Sequence, residues 1–143
     1  MKGLILGAVA TLTVLVSVVD RCCAEDVSLY DGGGEAVAYI AVDDELTVYL
    51  WGGQPVAYLD DGSVWGFNGK HLGWFDGGVI WDHEGNGACA LKGALTVIPR
   101  IESLKSLKSL KPLKSLKELP PLQALHTNHF SATPCSIFLA LGQ

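Results

Sequence analysis

What this chain has least of is helical periodicity. From Val27 to about Ile98 no apolar spacing of three and four residues runs for a useful length, which excludes a helix bundle over this half of the sequence. Basic charge is scarce too: 10 Lys and Arg against 15 Asp and Glu leave a formal net charge of -5, which gives no reason to expect nucleic acid as the partner of the whole protein. The histidines, His71, His83, His126 and His129, show no zinc-motif spacing. Neither Cys89 nor any serine sits in a nucleophile motif, and Gly32-Gly33-Gly34 and Gly52-Gly53 open onto no helix that would hold phosphate. Asp82-His83-Glu84 are consecutive, and strand neighbours point to opposite faces, so they do not converge on a metal. Asp43-Asp44-Glu45 and Asp60-Asp61 read as surface turn residues rather than as an acid–base pair. No catalytic, metal or cofactor residue is expected, and no enzyme.

The ends of the chain carry their own signals. Met1-Lys2, an apolar run from Gly3 to Val19 and small residues at Cys22 and Ala24 fit an export signal over 1–24, cleaved after Ala24. The other reading is an uncleaved single-pass anchor, since a run of 17 residues, interrupted only by threonines and Ser17, lies at the lower limit for a bilayer span. Either way the chain is expected in the periplasm, the cell envelope or outside the cell, where disulfides persist. Cys89 and Cys135 then remain as a possible pair, although Cys89 also occupies a place where a small buried residue suffices.

What is abundant is a repeat. An aromatic at Tyr30, Tyr49, Trp65 and Trp81 is followed four residues later by Gly34, Gly53, Gly69 and Gly85. Five residues further on come Tyr39, Tyr58, Trp74 and, breaking the rule, Ala90. The period is 16 to 19 residues, too short for a propeller blade of roughly 40. Short runs rich in β-branched and aromatic residues alternate with Asp61-Gly62, Asn68-Gly69, Asp76-Gly77 and Asn86-Gly87, the chemistry of tight hairpins. Four hairpins in a row leave open edges unless the sheet closes. The expected fold is therefore all-β: a small shallow closed barrel of four repeated hairpins with approximate fourfold symmetry, over 26–98.

The repeats Tyr30-Asp31-Gly32-Gly33-Gly34-Glu35-Ala36-Val37-Ala38-Tyr39-Ile40 and Tyr49-Leu50-Trp51-Gly52-Gly53-Gln54-Pro55-Val56-Ala57-Tyr58-Leu59 resemble the four-fold beta-flower family, as do Gly66 to Phe75 and Trp81-Asp82-His83-Glu84-Gly85. The likeness covers Val27 to Leu91. It implies a flat, fourfold pseudo-symmetric barrel, often on exported or membrane-tethered bacterial proteins, and it brings no activity and no catalytic residue. Ala90 in place of an aromatic puts equal packing of the last hairpin in question. Tyr39, Tyr58 and Trp74 are core residues of the repeat or, on the functional reading, stacking surfaces for a ligand.

Beyond Pro99 the sequence changes character. Ile101 and the leucines from Leu104 to Leu125 recur every third residue, and Lys105, Lys108, Lys111, Lys114 and Lys117 each follow a leucine. A helix would smear both sets around its axis, whereas a polyproline II strand keeps leucines on one edge and lysines on another. Residues 99–125 are thus expected to form an extended tail that works separately from the domain, with 126–143 a C-terminal loop. The five lysines would contact an anionic membrane surface or an envelope polymer. The function expected is a non-enzymatic binding or assembly module of the bacterial cell envelope. The alternative is a barrel that binds a small apolar or aromatic-seeking ligand or lipid.

Overall fold

The computed structural model describes residues 25–143; the expected export signal or anchor lies outside the described residues. The strands are β1 (Val27–Tyr30), β2 (Ala36–Ala41), β3 (Thr47–Leu50), β4 (Pro55–Asp60), β5 (Ser63–Gly66), β6 (His71–Asp76), β7 (Val79–Trp81) and β8 (Gly87–Ala90), and a short helix α1 covers Cys135–Ala140. Each strand pairs antiparallel with the next, and β8 returns to β1, giving a closed barrel. Closure removes the sheet edges that four hairpins would otherwise expose. The seam is narrow, resting on the pair Tyr30 and Ala90.

Alternation along the strands sorts the side chains into two shells. Leu29, Ala38, Ile40, Val48, Ala57, Val64, Leu72, Ile80 and Cys89 come from all eight strands and form one aliphatic cluster inside the barrel. The aromatics face the other way. Each of the four hairpins shifts register beside its first aromatic, the bulge that bends and twists a strand. The second aromatic of one hairpin then stands opposite the first aromatic of the next: Tyr39 with Tyr49, Tyr58 with Trp65, Trp74 with Trp81. The repeated aromatics are cross-strand clasps between neighbouring petals on the outer wall, not a shared axial core.

The break in the repeat falls at the seam. There Tyr30 faces Ala90, and Val97 and Phe130 pack into the same cluster. Phe130 lies against Gly32 of the first petal and bridges to Gly87 of the last. A small residue at Ala90 leaves room for this staple. Gly87 consequently belongs to β8, and the left-handed turn glycine of the fourth petal is Gly85, with φ +83°.

The two ends of the barrel differ. At the petal tips α1 seals the axis with Phe138 and Leu139, and Cys135 is bonded to Cys89 across a Cα–Cα distance of 5.1 Å. Asn68 fastens the last turn there by donating from Nδ2 to the carbonyls of Leu141 and Gln143. At the opposite end the links between petals surround an open apolar cup. Among the described residues no helix is long and apolar enough to cross a membrane.

Candidate functional site

The petal tips create the first element of the site. Each tip is closed by a turn in which Gly34, Gly53, Gly69 or Gly85 donates to the carbonyl three residues back, with φ between +80° and +91°. Asp31 and Asp82 hold their tips by accepting two backbone N–H groups each at Oδ1, the side-chain turn typical of aspartate. A glycine in this conformation exposes bare backbone to the outside.

The tail uses that backbone. Residues 99–127 lie on the barrel as an extended belt with neither helix nor strand. The carbonyl oxygens of Ile98, Leu107, Leu116 and Leu125 rest against Gly34, Gly53, Gly69 and Gly85 in turn. Arg100, Ser109, Glu118 and Thr127 donate their backbone N–H groups to the carbonyls of the same four glycines, at 2.8–2.9 Å. Both series advance by nine residues per petal, three of the sequence's triplets, so the period of three is the register of a belt that visits each petal once. Rather than standing apart from the domain, the tail completes it.

The lysines face inward. Lys105 Nζ lies 4.4 Å from the Tyr39 ring centroid and Lys114 Nζ 4.3 Å from that of Tyr58. Lys108 and Lys117 take the first aromatics, Tyr49 and Trp65, at 5.3 and 5.2 Å. Nine residues after Lys117 the place falls to His126, whose ring stacks on Trp81 at 4.0 Å. Carboxylates before β1, on the first link and at the end of β4 complete the clamp: Lys105 and Lys108 reach Asp26, Lys111 reaches Asp44, Lys114 reaches Glu45 and Lys117 reaches Asp60. The five lysines expected to meet an anionic surface are therefore engaged on the barrel wall, and Tyr39 and Tyr58 are buried beneath them. Trp74 is covered instead by His71 and His83, whose rings are hydrogen-bonded at 2.9 Å.

Titration follows from these contacts. Burial raises the Asp44 carboxyl, but hydrogen bonds from Lys111 and Tyr49 outweigh it and hold the group below its ordinary value. The Lys117 hydrogen bond lowers Asp60, and hydrogen bonds from Ser28 and Tyr30 lower Glu102. Burial lowers His71, and the neighbouring His83 adds to it. A group with a depressed folded pKa stabilises the fold above its unfolded pKa, and that stability goes as pH falls through the folded value. Thermal melts should thus decline in two stages, slightly below about pH 6.5 from His71 and more steeply below about pH 4 from the carboxylates. His71→Gln should erase the first stage and Lys117→Met should blunt the second. A melting temperature flat from pH 7 to pH 2 would contradict the assignment.

With the lysines turned in, the aliphatic edge turns out. Ile98, Ile101, Leu104, Leu107, Leu110, Leu113, Leu116, Leu119, Leu122 and Leu125 form a row at three-residue spacing, with exposures from 82 to 101 %. Sequence reasoning found both edges but not which one meets the barrel; the acidic links were the available signal, since they are the counter-charges of the lysines. The second open feature is the cup, of about 340 Å³, with Ile40, Leu59, Phe75 and Leu91 in its wall. Among the described residues no three His, Cys, Asp or Glu side chains gather as a metal site.

A family model described as 4-fold beta flower protein matches residues 27–139, running beyond the barrel through the belt and into α1. No curated protein and no solved structure matches the chain.

Proposed function

The chain belongs to the 4-fold beta flower family, and from that premise we propose that it is a non-enzymatic binding module of the cell envelope that docks on lipid through its leucine row. The observation that carries this reading is the exposure of ten aliphatic side chains in one continuous row. Proteins in water rarely leave so large a contiguous apolar surface uncovered unless it has a partner. The lysines supply the belt's adhesion to the barrel, so the contact with lipid is apolar rather than electrostatic. Burying a leucine stabilises by about 1.5–3 kcal/mol, so an arc of four gives roughly 6–12 kcal/mol before the costs of association, the scale of one acyl chain and of reversible binding. The export signal read from residues 1–24 is the support for placing this contact in the envelope.

Sedimentation with vesicles tests the reading. A chain beginning at Glu25 should bind neutral phosphatidylcholine about as well as mixtures containing phosphatidylserine, with little change when salt rises from about 0.1 to 0.5 M, where ionic contacts are screened. Leu107→Ser, Leu110→Ser and Leu113→Ser together should lower binding at least tenfold with the melting temperature unchanged. Binding to anionic vesicles alone, released by salt, would show that lysines lead the contact. Concentration-dependent oligomers with no vesicle binding would assign the row to a second copy of the chain. Either result overturns the lipid reading.

A further inference from the structure

The cup at the link end owes nothing to the belt's outer edge. Its wall takes one residue from each petal: Ile40, Leu59, Phe75 and Leu91, each directly after the second repeat position of its hairpin. Fourfold repetition thus builds an apolar ring, and α1 closes only the other end. The volume, about 340 Å³, is at the lower end of the ~300–1,000 Å³ typical of small-molecule sites. Apolar walls of this kind hold water poorly. At the lip Val42 and Leu46 remain 40 and 39 % exposed, two aliphatic residues on a link whose Glu45 and Leu46 both have positive φ.

The lip has one sign of charge in excess. Asp60 and Asp61 line the cup itself. Asp60 is engaged by Lys117, whereas Asp61 has no ion-pair partner among the described residues, nor have Asp43 on the first link and Asp76 at the end of β6, which stand outside the cup's lining. The basic residue of the links themselves is Lys92, and Lys111, Lys114 and Lys117 reach in to Asp44, Glu45 and Asp60, so the carboxylates remain in excess. An anionic head above the cup would meet several carboxylates, and a cationic head would be attracted by them.

We propose that the cup binds the alkyl chain of a single-chain amphiphile whose head is a cation, an ammonium or guanidinium group seated among the carboxylates of the lip. The apolar ring selects the chain and the link carboxylates select the charge.

Three probes with the same ten-carbon tail separate these elements: decylamine, decyl maltoside and decanoate, each titrated below its micelle concentration into the chain beginning at Glu25. Calorimetry should give decylamine an affinity at least about tenfold above decanoate, with the maltoside between. Amide and methyl shifts should centre on Leu59, Phe75 and Leu91. Leu46→Asn, a residue that tolerates positive φ, should weaken all three probes. Asp43→Asn, Asp61→Asn and Asp76→Asn together should shrink the gap between amine and acid toward unity while the maltoside is unaffected. The Leu107, Leu110 and Leu113 serine variant should bind decylamine normally, so failure here and failure at the leucine row are distinguishable. Decanoate binding as tightly as decylamine would overturn the charge selection. Absence of binding, or shifts confined to the belt leucines, would overturn the site.

Discussion

Replacing Gly53 with alanine is expected to destabilise the protein by roughly 3–5 kcal/mol, and the same change at Gly62 by only about 1–2 kcal/mol. Both glycines have positive φ, +91° at Gly53 and +75° at Gly62, so both substitutions carry the left-handed strain of a residue with a Cβ. They differ in what the new methyl meets. At Gly62 nothing lies within 4 Å. At Gly53 the methyl would fall on the carbonyl of Leu107, so the belt must lift. Lifting it breaks the bond from Ser109 N–H to Gly53 O, 2.9 Å long, and draws Lys105 and Lys108 off the Tyr39 and Tyr49 rings. Urea unfolding gives the two losses. Trypsin gives the cause, because cleavage after Lys105 and Lys108, each followed by serine, should accelerate in the Gly53 variant and stay slow in the Gly62 variant. Equal losses with unchanged cleavage would mean that the belt contributes nothing to stability at this petal.

The same four glycines show what was legible in the sequence and what was not. Hairpins, closure and fourfold repetition follow from local chemistry: β-branched and aromatic runs broken by Gly and Asp. The eight strands that four hairpins require are all present, the last of them Gly87–Ala90, and they close into a barrel. Local chemistry does not tell which face of a strand is interior when both carry apolar residues. Here the order Ala38-Tyr39-Ile40 puts two aliphatic residues inside and the tyrosine outside, and only the cover supplied by Lys105 and Lys108 makes an outward tyrosine buried. That cover comes from 66 and 69 residues along the chain. The belt was readable as extended, and its period of three as two edges. Its docking depends on a second period, nine residues from Leu107 to Leu116 to Leu125, matched to the spacing of the petals in space, which no stretch of local sequence records. The helix Cys135–Ala140 was missed for a similar reason: six residues form no independent helix, and this one exists because Phe138 and Leu139 fill the end of a barrel made elsewhere.

Breaking the Cys89–Cys135 bond should cost about 4 kcal/mol on the chain-entropy scale for a sequence separation of 46. The repeat position of Cys89 is filled by Ala38, Ala57 and Gly73 in the other petals, so the site tolerates a small side chain, and Cys89→Ala alone costs little packing. What is lost is the tie. Cys89 is on the closing strand and Cys135 begins the helix that plugs the axis, so the closed loop contains the whole belt. Without the bond the unfolded chain regains the freedom of that loop, and in the folded state the plug is held by Asn68, by the apolar contacts of Phe138 and Leu139, and by the backbone bonds of His129 and Ser131 to Gly87 just before it. The Cys89→Ala, Cys135→Ala double variant and the reduced native chain should therefore shift the urea midpoint alike. Hydrogen exchange should show the damage unevenly, with residues 127–141 losing protection first and β3 to β6 last. A shift corresponding to less than about 1 kcal/mol would mean that the loop is already constrained in the unfolded chain, or that the plug is held without the bond. Uniform loss of protection across the barrel would instead mean that the seam between β8 and β1, narrow as it is, depends on the same tie.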